Sequence, residues 1–190
     1  MRTSVLGLLV LGLSALAAGA GDITADGKQG EGKHQGPRNA IAVLHGLGKN
    51  HEVKGIVRFM QMEDGIQITG EITGLTPGEH AFHVHEFGDC SSEDGMTAGA
   101  HFNPEGKHHG GPDAEQRHVG DLGNIKADEN GRVTLHMKDK LIQLHGHHSI
   151  IGRSLIVHAQ PDDLKSDPAG NAGARIACGV IGIAKSDTGK

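Results

Sequence analysis

The stretch EVKGIVRFMQMEDGIQITGEIT, residues 52–73, decides the fold class. Val53, Gly55, Val57 and Phe59 share one parity of its first half, and Ile66, Ile68, Gly70 and Ile72 share one parity of its second. Asp64-Gly65 between the halves is a hairpin signal. A period of two sends successive side chains to opposite faces, so both halves read as strands of an antiparallel pair with one face buried.

The same pattern continues outward. Ile41-Ala-Val-Leu44 opens an earlier strand, and Thr76-Pro77-Gly78 turns the chain into a fourth strand over residues 79–85. Strands resume over residues 120–127. After an Asn130-Gly131 turn, Val133, Leu135 and Met137 alternate again. Residues 154–159 and 176–184 supply the last two strands. Eight strands in a meander-like order, with few helical signals, predict an all-β antiparallel sandwich or flattened barrel. Two stretches lack any sustained period. Residues 86–117 hold six Gly, two Pro and several His, and residues 161–174 form a second irregular loop with a short helical turn expected near 162–164. Loops of the first length are usually functional or pinned, and here a disulfide at Cys90 and metal ligands could pin it.

Composition sets further limits. The 190 residues include 15 His and 31 Gly but no Trp, no Tyr and only 4 Phe, so the core must come from Val, Ile, Leu and Ala. Residues 1–20 read as a secretory signal. Arg2 is its basic start, residues 5–16 its apolar run, and Ala18-Gly19-Ala20 its cleavage pattern, with the cut after Ala20. That run is short for a membrane span. Its removal leaves 17 basic against 23 acidic residues, a net charge of −6. Such a balance argues against a nucleic-acid partner, and no membrane partner is expected once the signal is gone. Residues 21–38 read as a flexible polar leader, 39–184 as one domain and 185–190 as a disordered tail. In an exported protein the two cysteines, Cys90 and Cys178, read as a disulfide. Closing a loop of that length stabilises by about 4–5 kcal/mol.

The chemistry lies in six histidines and one aspartate: His83 and His85, then His101, His109 and His118, then His158, with Asp121 three residues after His118. Imidazole suits zinc and copper, and a carboxylate suits zinc. The set is too large for one tetrahedral site, which points to two metals close together. Parity puts His83 and His85 on one face of their strand, under a covering loop, with Phe82 and Val84 facing the core. His158 can meet them from a neighbouring strand. His101, His109, His118 and Asp121 would close a site with no open position, a structural pattern. The other trio leaves room for an exchangeable ligand. If His101 serves both metals, each of its ring nitrogens must face one. His80 has the core parity and reads as a hydrogen-bonded structural histidine. Spacing alone leaves His108 competing with His109. His145, His147 and His148 read as a solvated turn.

These residues carry a resemblance. Phe82-His-Val-His-Glu-Phe-Gly-Asp89, His101-Phe-Asn-Pro104, His109-Gly-Gly-Pro112, Arg117-His-Val-Gly-Asp-Leu-Gly-Asn124, Gly152-Arg153, Val157-His158 and Gly170-Asn-Ala-Gly-Ala-Arg-Ile-Ala-Cys-Gly-Val-Ile-Gly-Ile-Ala184 are similar to the copper/zinc superoxide dismutases, over roughly residues 39–184. The resemblance implies a Greek-key fold with two long functional loops. It implies copper at His83, His85, His101 and His158, and zinc at His101, His109, His118 and Asp121. His109 is chosen over His108 because Gly-Gly-Pro follows it. The resemblance also assigns Asp162 as the carboxylate between a copper histidine and a zinc histidine, Arg175 as the arginine beside the open copper position, and Cys90–Cys178 as an intrasubunit disulfide. The implied reaction is dismutation of superoxide to dioxygen and hydrogen peroxide by a redox-cycling copper, with His101 and Arg175 as catalytic residues.

Two departures accompany it. Cys90 directly follows Asp89, and residues 162–175 are shorter than the charged steering loop of animal members, leaving Lys165 and Arg175 as steering charges. Both are closer to bacterial members, so a periplasmic location is expected first and an extracellular one second. Phe87-Gly88 and Val180-Ile-Gly-Ile183 resemble dimer-forming surfaces, which suggests a homodimer. A non-catalytic copper-binding or copper-delivery module is the competing reading. The chain has no Cys before Cys90 to serve as a delivery motif, and it keeps every ligand and the cleft arginine. A zinc hydrolase would want a His-Glu-x-x-His motif, which is absent.

Overall fold

In the computed structural model, residues 36–185 are described. The expected signal, all but the end of the leader and the last five residues lie outside them. The strands are β1 (Asn39–Gly46), β2 (Lys54–Met62), β3 (Gly65–Thr73), β4 (Gly78–His85), β5 (Asp121–Ala127), β6 (Val133–Asp139), β7 (Ser154–His158) and β8 (Arg175–Ile183). All pairings are antiparallel, in the order β5-β4-β7-β8-β1-β2-β3-β6. β5 and β6, at the two ends of that order, lie side by side without a ladder, so the sheet nearly closes into a barrel. Among the described residues no helix is long and apolar enough to cross a membrane.

The meander holds only for β1–β3. β4 crosses to pair with β7 and β5, and β6 returns beside β3. Strands β4, β5 and β6 with β7 beside β4 form the four-strand Greek-key pattern. The first hairpin turns one residue earlier than its Asp-Gly signal. Met62 pairs with Gly65, so Glu63 and Asp64 make the turn and Gly65 opens β3 with φ 139. Asp139 O passes so close to it that a Cβ there would overlap that oxygen, which explains the glycine.

Inward residues of all the strands build the core. Leu44, Val57, Phe59, Ile66, Ile68, Ile72, Phe82, Val84, Leu155 and Val157 are fully buried together. Each such aliphatic or aromatic side chain contributes about 1.5–3 kcal/mol. The outer face of β4, β7 and β8 is covered by the two irregular loops. The first contains one 3-10 turn (Met96–Ala98) and is tied to β8 by the Cys90–Cys178 disulfide, with Cα atoms 5.7 Å apart. Ile156, Leu47 and Ala98 pack around that bridge.

The helical turn expected near residues 162–164 does not form. Side chains take the amides that a helix would use. Asp162 Oδ1 accepts the Leu164 N–H at 2.7 Å, and Asp163 Oδ1 accepts those of Lys165 and Ser166 at 3.1 and 2.8 Å. Leu164 takes φ 64, outside helical space.

Candidate metal centre

β4 and β7 supply three of the imidazoles. Phe82 and Val84 enter the barrel, so His83 and His85 face the covering loops and are fully buried there. Antiparallel pairing sets His83 opposite Ile156 and His85 opposite Ser154, which brings His158 alongside. His85 Nε2 and His158 Nε2 lie 3.3 Å apart.

His101 comes from the long loop. Phe102 anchors it, plugging the core and exchanging backbone hydrogen bonds with Val84 and Gly120 at 2.9 Å. The His101 ring then sits 4.0 Å from His83, 4.9 Å from His85 and 5.5 Å from both His109 and His118, centroid to centroid. It is the centre of the cluster, with a trio on either side.

Hydrogen bonds select which nitrogen of each ring stays free. His83 Nε2–H donates to Asp162 Oδ2 at 2.8 Å, His85 Nδ1–H to Gly99 O at 3.0 Å, and His158 Nδ1–H to Gly173 O at 3.3 Å. Lone pairs therefore remain on His83 Nδ1, His85 Nε2 and His158 Nε2. His83 Nδ1 and His101 Nε2 are buried with no hydrogen-bond partner. Leaving such atoms unsatisfied costs about 1–3 kcal/mol each, a cost that ligation would remove.

The second group surrounds Asp121, at the head of β5. Its Oδ1 lies 2.8 Å from His101 Nδ1, 3.1 Å from His109 Nδ1 and 3.2 Å from His118 Nδ1, and the His101 and His118 nitrogens are 3.4 Å apart. A tetrahedral ion with ligand bonds of ~2.0–2.1 Å has edges of about 3.3–3.4 Å, so the four atoms already stand near tetrahedral spacing. Asp121 Oδ2 is held by the N–H groups of His118 and Gly110, at 2.8 and 3.1 Å. Each group's ligand atoms lie within 4.8 Å of one another, and all seven residues are buried. The donor sets fit: nitrogens alone on one side, three nitrogens and a carboxylate on the other.

Electrostatics agrees with that division. Burial lowers the His158 pKa to about 3 and, against the pull of Asp121, that of His101 to about 4. Both rings are thus neutral at physiological pH and present lone pairs. Burial opposes charge on His109, but Asp121 and Asp162 outweigh it and raise its pKa to about 10. Two carboxylates so placed favour a cation at that point. Burial likewise works against the Asp121 carboxylate, yet the His101, His109 and His118 rings gathered around it hold it far below the usual range.

Asp162 links the two groups. It accepts His83 Nε2–H and His109 Nε2–H, each at 2.8 Å, through different oxygens. Asn124 fixes its backbone, accepting from Asp162 N at 2.7 Å and donating to Asp162 O at 2.9 Å. Gly170, at φ 62, passes so close that a Cβ would overlap Asp162 Oδ1 and crowd His109 Nε2. On the other side of the cluster, Arg175 opens β8 across the ladder from His158. Its guanidinium donates to Gly95 O at 2.6 Å and Gly99 O at 2.7 Å. Gly99 O thus receives both Arg175 and His85.

All six histidines and the aspartate singled out in the sequence come together. His80 does not join them: its Nδ1–H donates to His158 O at 2.8 Å, and its Nε2 faces Thr76. His108 points away, and His148 binds Glu105 and Leu141 O in a separate turn. Several contributors escape a reading by ligand chemistry. They are Asn124, Asp167, Gly170, the Gly95 and Gly99 carbonyls, and a buried Arg117–Asp139 ion pair at 2.5 Å whose arginine also donates to Asp121 O at 2.8 Å. For Asp167 the local signal is a turn-marking Asp-Pro at 167–168, while Arg117, Asn124 and Gly170 lie inside the family-like motifs.

Comparison with known proteins shows several likenesses, among them the following. Residues 53–181 match the family model described as copper/zinc superoxide dismutase. An extracellular superoxide dismutase [Cu-Zn] of Brugia pahangi is 50% identical over 153 residues, which are 76% of this chain and 75% of that protein. The crystal structure of the clock protein EA4 is 48% identical with a TM-score of 0.72, covering 78% of this chain and 96% of that one.

Proposed function

The chain belongs to the copper/zinc superoxide dismutase family, and from that premise we propose which of its residues carry each part of the reaction. The protein dismutes superoxide to dioxygen and hydrogen peroxide, with copper and zinc as cofactors. We assign copper to His83, His85, His101 and His158, and zinc to His101, His109, His118 and Asp121. The observation that carries this division is the central place of His101, with Nδ1 in the Asp121 group and a buried, unpartnered Nε2 beside His83. When bound, copper supplies the one-electron couple and zinc a fixed positive charge on the Asp121 side.

The protein's own residues do the rest. His101 Nε2 is the atom that takes up and releases a proton, while Nδ1 stays on the Asp121 side. Asp162 keeps the protons of His83 and His109 on Nε2 and so orients both rings. Arg175, half-buried beside His158 and fixed by two carbonyls, is a preset cation for a small anion. In a chain of net negative charge, that local field selects where superoxide approaches. Metal analysis together with superoxide consumption tests the reading. One copper and one zinc per chain, with rapid consumption, is the expected result; a fully metallated yet inactive protein would return the copper-delivery alternative.

Arg175→Ala is expected to slow superoxide consumption about tenfold or more, at unchanged copper and zinc content, and to weaken its salt dependence. Loss of copper from this variant would make Arg175 structural instead.

We propose further that residues 1–20 are removed as a signal, that a leader precedes the domain over residues 39–184, and that the protein is exported. The extracellular description of the Brugia pahangi relative supports export and favours the extracellular space over a periplasm. A homodimer is supported by an outward apolar patch. Phe87 is 52% exposed and Val180 44%, and Gly88, next to Phe87 in the chain, lies close against Gly152 and the Val180 side chain. Val180→Glu should convert a dimer to monomer in light scattering. A wild-type chain that is already monomeric would remove this assignment.

A further inference from the structure

The loop between β7 and β8 reaches the Asp121 group twice. Asp162 meets the His109 ring, as described. Five residues on, Asp167 Oδ1 accepts the backbone N–H of His109 at 2.7 Å, and its Oδ2 accepts Nδ1–H of His108 at 2.6 Å. The next N–H, that of Gly110, goes to Asp121 Oδ2 at 3.1 Å. Consecutive amides are therefore taken by two different carboxylates, which sets the main chain on either side of the His109 Cα. With ring Nε2 on Asp162 as well, only Nδ1 is left without a hydrogen bond, and it faces Asp121 Oδ1 at 3.1 Å.

The two arms of Asp167 are unequal. The His108 ring is 84% exposed and the Asp167 side chain 48%, so this pair is a solvated contact of little energetic weight. The arm to the His109 amide is a short, charge-assisted hydrogen bond and acts on the backbone of the histidine itself.

We propose that Asp167 is a positioning residue for His109, fastening its main chain so that Nδ1 is held in place for zinc. The proposal rests on the zinc assignment to His101, His109, His118 and Asp121. It makes the β7–β8 loop a clamp on both ends of one ligand, with the ring held by Asp162 and the amide by Asp167.

Zinc release from the fully metallated mature protein to a chromogenic chelator tests it, with copper release followed separately. Asp167→Ala is expected to speed zinc release about tenfold, the lower end of the range for partners of metal ligands, with copper release and the melting temperature of the metal-free protein unchanged. Asp167→Asn keeps an oxygen for the His109 amide and should restore slow release. His108→Ala should change release by at most about fivefold, the ceiling for an exposed pair. With cobalt(II) in place of zinc, the visible d–d bands of Asp167→Ala should shift, which a loss of loop stability alone would not produce. Wild-type zinc release in Asp167→Ala overturns the proposal. So does equal acceleration of both metals with a lowered metal-free melting point, or a His108→Ala variant as fast as Asp167→Ala. A wild-type chain that takes up no zinc overturns the zinc assignment and the clamp together. One that takes up zinc and consumes superoxide, while Asp167→Ala retains zinc equally well, overturns the clamp alone.

Discussion

Replacing Cys90 by serine is expected to destabilise the metal-free protein by about 4–5 kcal/mol, the loop-closure value for a cross-link across 88 positions. In a chain of this size that corresponds to a fall in melting temperature of roughly 10–20 °C. The bridge joins the loop after β4 to β8, and few apolar residues otherwise hold the first part of that loop, before the Phe102 anchor: Ala98 and Cys90 pack on Leu47, Ile156 and Cys178. The same loop carries the Gly95 and Gly99 carbonyls that place Arg175, and Gly99 O also orients His85. Loosening it should therefore reduce superoxide turnover as well as stability. Thermal unfolding of the two proteins, and amide exchange across residues 86–100, measure both effects. Identical melting of the wild type under oxidising and reducing conditions would show that the bridge contributes nothing.

Asp162→Ala should lower metal affinity or activity 10–100-fold, the usual cost of removing the partner of a metal-bound histidine. The effect is large because one carboxylate serves two rings. Without it, His83 Nε2–H and His109 Nε2–H are both left buried and unpaired, each costing about 1–3 kcal/mol. Either ring can then turn or exchange tautomers, and the free nitrogen leaves its place. Asp162→Asn is expected to help little, since its amide can accept from one ring only through oxygen and presents N–H to the other. Competition with a zinc chelator, alongside superoxide consumption, reads the loss. Full zinc affinity in Asp162→Ala would mean that packing alone orients the rings.

Much of the barrel was visible in local patterns because a strand's period of two is a local property. Val53 to Phe59 and Ile66 to Ile72 declare their buried face without knowledge of the partner strand. The connectivity was less visible. Nothing in residues 78–85 announces that β4 leaves β3, the strand before it, to pair with β7, because that pairing is a contact between distant segments. The turn at Glu63 and Asp64 also escaped by one residue. Asp-Gly marks a turn, but the ladder with Met62 and the approach to Asp139 O decide where Gly65 sits. The expected helical turn at 162–164 failed for a related reason: Asp162 and Asp163 spend their oxygens on nearby amides and distant rings.

What the amino-acid order determined by itself was the chemistry on offer and the faces that carry it: seven donors of the right types, two of them on one side of β4, and an arginine and two cysteines in fixed company. Side-chain type and strand parity are written residue by residue. What only the tertiary structure decided was which nitrogen of each ring is free and which backbone atoms hold the charged groups. Those choices depend on carbonyls and carboxylates such as Gly99 O, Asp162 and Asp167, brought in from up to 79 positions away, and through-space hydrogen bonds of that kind leave no period in the chain.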